Sequence, residues 1–199
     1  MTRYRDVEAA LHDERLSSNR TALHINKLGS LDVKEIQNFL ALTSNWMVDT
    51  DPPEHTRLRK LANQGFTTRA IESWRSIIEN TTDLLLDKVQ NHGGMDVVSD
   101  LAIPLPGIII TEIFGVPETD RANMLEWARD IGTFFGPAGG STIEMAELAR
   151  KADKAAVQFS ALITQLVEQR RRQPGTDIIS LLTVAYQEQG FNFEELPSV

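Results

Sequence analysis

The sequence predicts a mainly α protein with little or no β-sheet. Apolar residues recur at three- and four-residue spacing in nearly every segment. Cap and stop residues bound those segments at helix-length intervals. No segment reads convincingly as a strand.

The elements follow in order. RYRDVEAALHDERLS opens with a short strand or turn and then a helix from about Asp6 to Leu11. LDVKEIQNFLALTSNW places Val33, Ile36, Phe39, Leu40 and Leu42 close to helical period. Asp32 with Glu35 forms a capping box ahead of them. In DPPEHTRLRK, Asp51 can cap the next helix, Pro52 suits the first helical position, and Glu54 stands three residues after the cap. A long helix runs from about Arg69 to Asn91, with Ile71, Trp74, Ile77, Ile78, Leu84, Leu85 and Val89 on one broad face and Gly93–Gly94 as its stop. Asp100 to Phe114 is apolar nearly all round and reads as a buried helix, with Pro104 and Pro106 at its start. Thr119 or Asp120 caps a helix that ends near Gly136. After GPAGG, Ser141 and Glu144 form a capping box for a long polar helix to about Gln173, stopped by Pro174 and Gly175. Asp177 to Gln187 is another helix, and Asn192 caps the beginning of one more. No repeat or linker divides residues 1–199, which read as a single domain.

Composition bounds the function. With 41% hydrophobic residues, the 199-residue chain can build a real core. A net charge of -8 disfavours nucleic acid as a partner. LAIPLPGIIITEIFGV is the most apolar stretch, but two prolines and Glu112 interrupt it, so no membrane partner is expected. Nothing near Met1 reads as a signal peptide. There is no cysteine, which excludes disulfides, thiolate metal sites and cysteine nucleophiles within these residues and fits a cytoplasmic protein.

One motif carries chemistry. His55 and Arg59 are four residues apart on a helix whose start the prolines fix, so both face one way. Together they offer donors suited to carboxylates or phosphate, and arginine can bind such a group bidentately. Taken alone, the pair reads more readily as a solvated helix face, since such pairs arise freely on helix surfaces.

The run Asp-Pro-Pro-Glu-His-Thr-Arg-Leu-Arg, within NWMVDTDPPEHTRLRKLANQGFTTRAI, closely resembles the C-helix region of bacterial cytochrome P450s. MTRYRDVEAALHDERLSSNR resembles that family's segment from an early strand into the B helix. VVSDLAIPLPGIIITEIFGVPETDR resembles its D and E helices, and ALITQLVEQRRRQPGTDIISLLTVAYQEQG its G and H helices. The resemblance implies a partial P450 fold, B to H helices, reaching the start of the I helix. The I helix, the Glu-x-x-Arg pair and the cysteine-ligand loop would lie beyond Val199. Glu126/Arg129 and Glu147/Arg150 share the Glu-x-x-Arg spacing but read as surface pairs.

By the same resemblance the cofactor is haem, with His55 and Arg59 matching the positions that hold its propionates. Trp46 and Met47 match the stretch beside the haem, and read equally as core residues. Arg57, Lys60 and Arg69 match the proximal side, where the resemblance implies docking of a ferredoxin-type redox partner, but read more readily as ordinary surface charge. In the family a cysteine thiolate ligates the iron and favours O–O cleavage. None of His12, His24, His55 and His92 matches that axial position. The family reaction inserts one oxygen atom of O2 into a small-molecule substrate, using electrons from the partner. This chain alone is expected to be inactive. Two other readings stay open: a non-catalytic binding or regulatory module derived from the fold, and a haem carrier using His55 and Arg59. Half a fold also implies exposed apolar faces, covered by a complementary C-terminal half or an oligomer. The substrate-setting segments, Ser18–Ser30 and Gly132–Ala149, indicate no compound class.

Overall fold

The computed structural model describes residues 3–20, 22, 25–26, 32–44, 46–135 and 142–188. Among the described residues, eight α-helices and several short turns account for nearly all of the regular structure, and no strand occurs. Helix α1 is Tyr4–Leu11 and α2 is Gln37–Thr43, preceded by a 3₁₀ turn at Val33–Ile36. A second 3₁₀ turn, Met47–Asp49, leads towards α3, Glu54–Gly65. Helix α4 is Thr68–Val89, α5 is Pro104–Ile113 and α6 is Glu118–Phe135. Helix α7 is Thr142–Arg172 and α8 is Ile178–Glu188.

Helix α7 is the spine. Its 31 residues reach about 46 Å at helical rise. One half carries Ala149, Ala152, Ala155 and Ala156, all buried, and these small side chains let α2 and α6 approach closely. There Ile36, Phe39 and Leu42 pack with Ile131 and Phe134. The other half contributes Leu162, Ile163, Leu166 and Val167 to a second core with Leu61 of α3, Ile113 of α5, and Ile178, Leu182 and Tyr186 of α8. Helix α3 is thus fixed by Leu58 and Leu61 facing inward, with Gly65 against Ile178. That leaves its opposite face free for the site.

Local chemistry departs from the sequence reading at several points. Asp32 caps as expected, accepting the Lys34 amide, but Glu35 reaches across to Arg150 instead of closing the box. Asp51 does not cap α3. That helix begins at Glu54, and the Asp51 carboxylate turns to Ser17 and Ser18, while its carbonyl accepts the His55 amide. Thr67 supplies the cap of α4 by accepting from Ala70. The Asp100–Phe114 segment is two elements. Asp96 captures the amides of Val98 and Ser99 and starts a π-helical turn, Val97–Ala102, and Pro104 then opens α5. Nor is this segment buried all round, since Ile103 and Ile110 are exposed. Helix α6 begins at Glu118, which places Thr119 and Asp120 inside its first turn. Asp177 caps α8 by accepting the Ser180 amide. Ser141 and Asn192 lie outside the described residues.

The broad apolar face read on α4 is real but only partly covered. Leu85 is buried and Trp74 half-buried, whereas Ile71, Ile78 and Leu84 are exposed at 51%, 41% and 63%. Among the described residues no single helix is long and apolar enough to cross a membrane.

Candidate functional site

The site begins with the first two turns of α3. His55 and Arg59 lie one turn apart and line one open cavity of about 470 Å³. His55 is half-buried and Arg59 is exposed at the mouth. Met47, Val48 and Thr50 form a second wall, and Leu11 to Glu14 with Leu16 and Ser18 form the outer one.

Three carboxylates line this cavity, Asp13, Glu14 and Asp51, and two of them are engaged by donors of their own. Asp13 is clamped bidentately by Arg15, with Nε–Oδ1 at 2.8 Å and Nη2–Oδ2 at 2.6 Å, and this holds its carboxyl below the usual range. Asp51 accepts the Ser17 hydroxyl at 2.5 Å and the Ser18 amide at 2.7 Å. Those two hydrogen bonds, with a smaller contribution from the charge of His55, lower its pKa against the desolvation that raises it. Arg57 points elsewhere and pairs with Glu54 one turn back. An imidazole and a guanidinium therefore face a cavity wide enough for an organic dianion, and the carboxylates Asp13 and Asp51 are already hydrogen-bonded to donors of their own.

Other residues singled out by sequence fall in three places. Met47 lines the cavity, whereas Trp46 stacks on Phe135 with ring centroids 5.1 Å apart, joining the aromatic core. Lys60 and Arg69 are exposed and outside the cavity. His12 lines the outer wall with Nδ1 on the Glu8 carbonyl, His92 is exposed in a turn, and His24 lies outside the described residues. Sequence reasoning missed the outer wall, because its contacts to Asp51 span 33 and 34 residues. Among the described residues no group of three His, Cys, Asp or Glu is placed to hold a metal ion. A larger cleft, about 850 Å³ where α7 meets α8, is lined by polar residues whose Arg170 and Asp177 are paired with each other.

No protein-family model matches the chain. Individual relatives do. The biotin biosynthesis cytochrome P450 of Bacillus subtilis is 35% identical over 202 residues, spanning 100% of this chain and 47% of that protein. The 6-deoxyerythronolide B hydroxylase of Saccharopolyspora erythraea is 36% identical over 210 residues, spanning 100% and 48%. Among solved structures, P450BioI bound to an acyl carrier protein ligated with hexadec-9Z-enoic acid superposes with a TM-score of 0.80 at 31% identity, covering 98% of this chain. CalO2 superposes at 0.81 with 28% identity. The chain belongs to the cytochrome P450 family.

It is a partial P450, spanning about half the length of the curated relatives it matches. The family's cofactor is haem, whose two propionates are carboxylates. At that end the residues present fit the group: the α3 face of this cavity offers two cationic or hydrogen-bonding side chains one turn apart. At the iron, the 199 residues contain no cysteine and supply no thiolate.

Proposed function

We propose that this P450 chain is the propionate-binding part of a haem-thiolate monooxygenase. The observation that carries the reading is the shared cavity of His55 and Arg59, in a chain that aligns to P450s along its whole length. In this reading Arg59 binds one propionate through its planar fork and His55 donates to the other, so the helix anchors and orients the porphyrin edge. Haem, when bound, would supply oxygen activation, and a thiolate to ligate it would have to come from a complementary C-terminal half, since these residues contain no cysteine. The chain alone does not oxygenate. A small organic substrate, a ferredoxin-type electron donor docking near Lys60 and Arg69, and a cytoplasmic location belong to the same proposal.

Titration with iron-free protoporphyrin IX tests the anchoring, because it isolates the carboxylates from iron ligation. Arg59→Ala is expected to weaken binding about tenfold, the loss of one hydrogen-bonded charge pair. His55→Ala should weaken it less. Equal binding by wild type and the double variant would remove the reading. Haem added under reducing conditions with CO should give no thiolate-type red-shifted band, and such a band would place an axial ligand inside these residues.

The complementary half also fits the uncovered apolar surface. Ile71 and Ile78 lie two turns apart on α4, and Ile103 and Ile110 are likewise seven residues apart at α5. In this reading these exposed apolar side chains are where the complementary half packs. The chain alone is expected to bind a hydrophobic dye and self-associate. A monodisperse monomer without dye binding, by light scattering on a sizing column, would argue that nothing is missing from that face.

A further inference from the structure

Helix α1 has no buried residue, and the strap that follows it is exposed, with Leu16 at 58%. Apolar burial therefore does not hold this N-terminal segment against α3. Polar hooks do. Asp51 takes the Ser17 hydroxyl and the Ser18 amide on its two carboxylate oxygens. Asp49, buried at 5%, takes Arg20 Nε at 2.9 Å. Ser17 Oγ in turn accepts the Asn19 amide at 3.0 Å, so the strap is folded around the Asp51 contact. Through its carbonyl the same Asp51 accepts the His55 amide at 3.0 Å. One residue thus joins the outer wall of the cavity to the helix that carries its donors.

We propose that Asp51 is a positioning residue, latching the strap of residues 13–20 as the outer wall of the cavity that His55 and Arg59 face. The latch matters for binding only if the propionate reading holds, but its existence can be measured without any ligand. With the latch made, Leu16 and Ser18 stand as a wall beside the donors of α3 and narrow the solvent around them, which strengthens each charge-assisted contact. With the latch lost, the strap is freed at Ser17 and Ser18 and stays tied to the helix side only through Arg20 and Asp49, because no buried apolar side chain retains α1.

Hydrogen exchange and porphyrin titration on the same variants test this. Asp51→Ala is expected to raise exchange across residues 13–20 and to weaken protoporphyrin IX about tenfold, with exchange in α7 and α8 unchanged. Asp51→Asn keeps an acceptor oxygen for Ser17 or Ser18 and should recover most of both losses, which a general packing defect would not predict. Ser17→Ala, which leaves α3 untouched, should reproduce part of the loosening and keeps the test decisive if Asp51→Ala fails to fold. Unchanged exchange of the strap in Asp51→Ala overturns the latch. Raised exchange with wild-type porphyrin affinity overturns its role in the site. Wild type binding porphyrin no better than the His55→Ala, Arg59→Ala double variant would remove the propionate reading, while exchange still decides the latch.

Discussion

Phe39→Ala is expected to remove about 3–5 kcal/mol of folding stability, a large share of the roughly 5–15 kcal/mol by which domains are stable. Phe39 is fully buried on α2. Its ring meets Phe134 edge-on with centroids 4.8 Å apart and Phe135 at 5.5 Å. Such pairs add to area burial because the positive ring edge meets the negative face. The backbone of Phe39 is held as well. Its amide, one of the unpaired donors in the first turn of α2, reaches Asp153 Oδ1 of α7 at 2.8 Å, and Asn38 reaches the other oxygen at 3.0 Å. With α2 fixed by its amide, the neighbouring rings cannot collapse into the space left by alanine, which is the condition for a cost at the upper end. The effect should extend to the site. Phe135 also stacks on Trp46, and Trp46 directly precedes the Met47–Asp49 turn that walls the cavity. Urea denaturation should therefore show the large loss, with Phe39→Leu losing much less. A loss below about 1 kcal/mol for alanine would mean that the aromatic cluster does not secure α2.

The local signals in the sequence located most helices, because periodicity and caps act within a few residues. Asp32, read as a cap, works in this way by holding the Lys34 amide, whereas Thr67 and Asp96, which cap by the same local rule, do not read as helix starts. His55 and Arg59 were legible for the same reason: spacing on one helix determines which side chains share a face. Partners far along the chain were not legible. Asp51 reads as a cap, yet its carboxylate is drawn away by Ser17 and Ser18. Glu35 reads as half of a capping box, yet Arg150, a full charge 115 residues on, competes better than a single backbone amide. Periodicity also shows an apolar face without saying what lies opposite. On α4 it marked Leu85 and Leu84 alike, and only one of them has a neighbour covering it. The all-round apolarity of residues 100–114 suggested burial for the same reason, whereas the fold leaves Ile103 and Ile110 open.

Gly115→Ala should be the other severe substitution, at about 2–5 kcal/mol, combining a backbone cost with a broken ion pair. Gly115 has φ +69° just past the end of α5. The Val116 amide returns to the Thr111 carbonyl and the Gly115 amide to Glu112, a Schellman close that buries Val116. A side chain in the left-handed region costs about 1–2 kcal/mol by itself. The surroundings add more. A Cβ here would stand 2.6 Å from Asp177 Oδ2 and 2.8 Å from Arg170 Nη2. Neither can yield easily. Arg170 donates to the Gly115 carbonyl at 2.9 Å and to Asp177 at 2.7 Å, and Asp177 holds the start of α8 through Ser180. The turn thus ties the ends of α5 and α7 to the beginning of α8, the helix against which α3 packs. A double-mutant cycle separates the two causes. In an Asp177→Ala background the Asp177 contact is gone and Arg170 loses the partner that holds it in the way, so Gly115→Ala should cost little beyond the backbone share, about 1–2 kcal/mol. If Gly115→Ala costs the same in both backgrounds, the close approach to Asp177 contributes nothing.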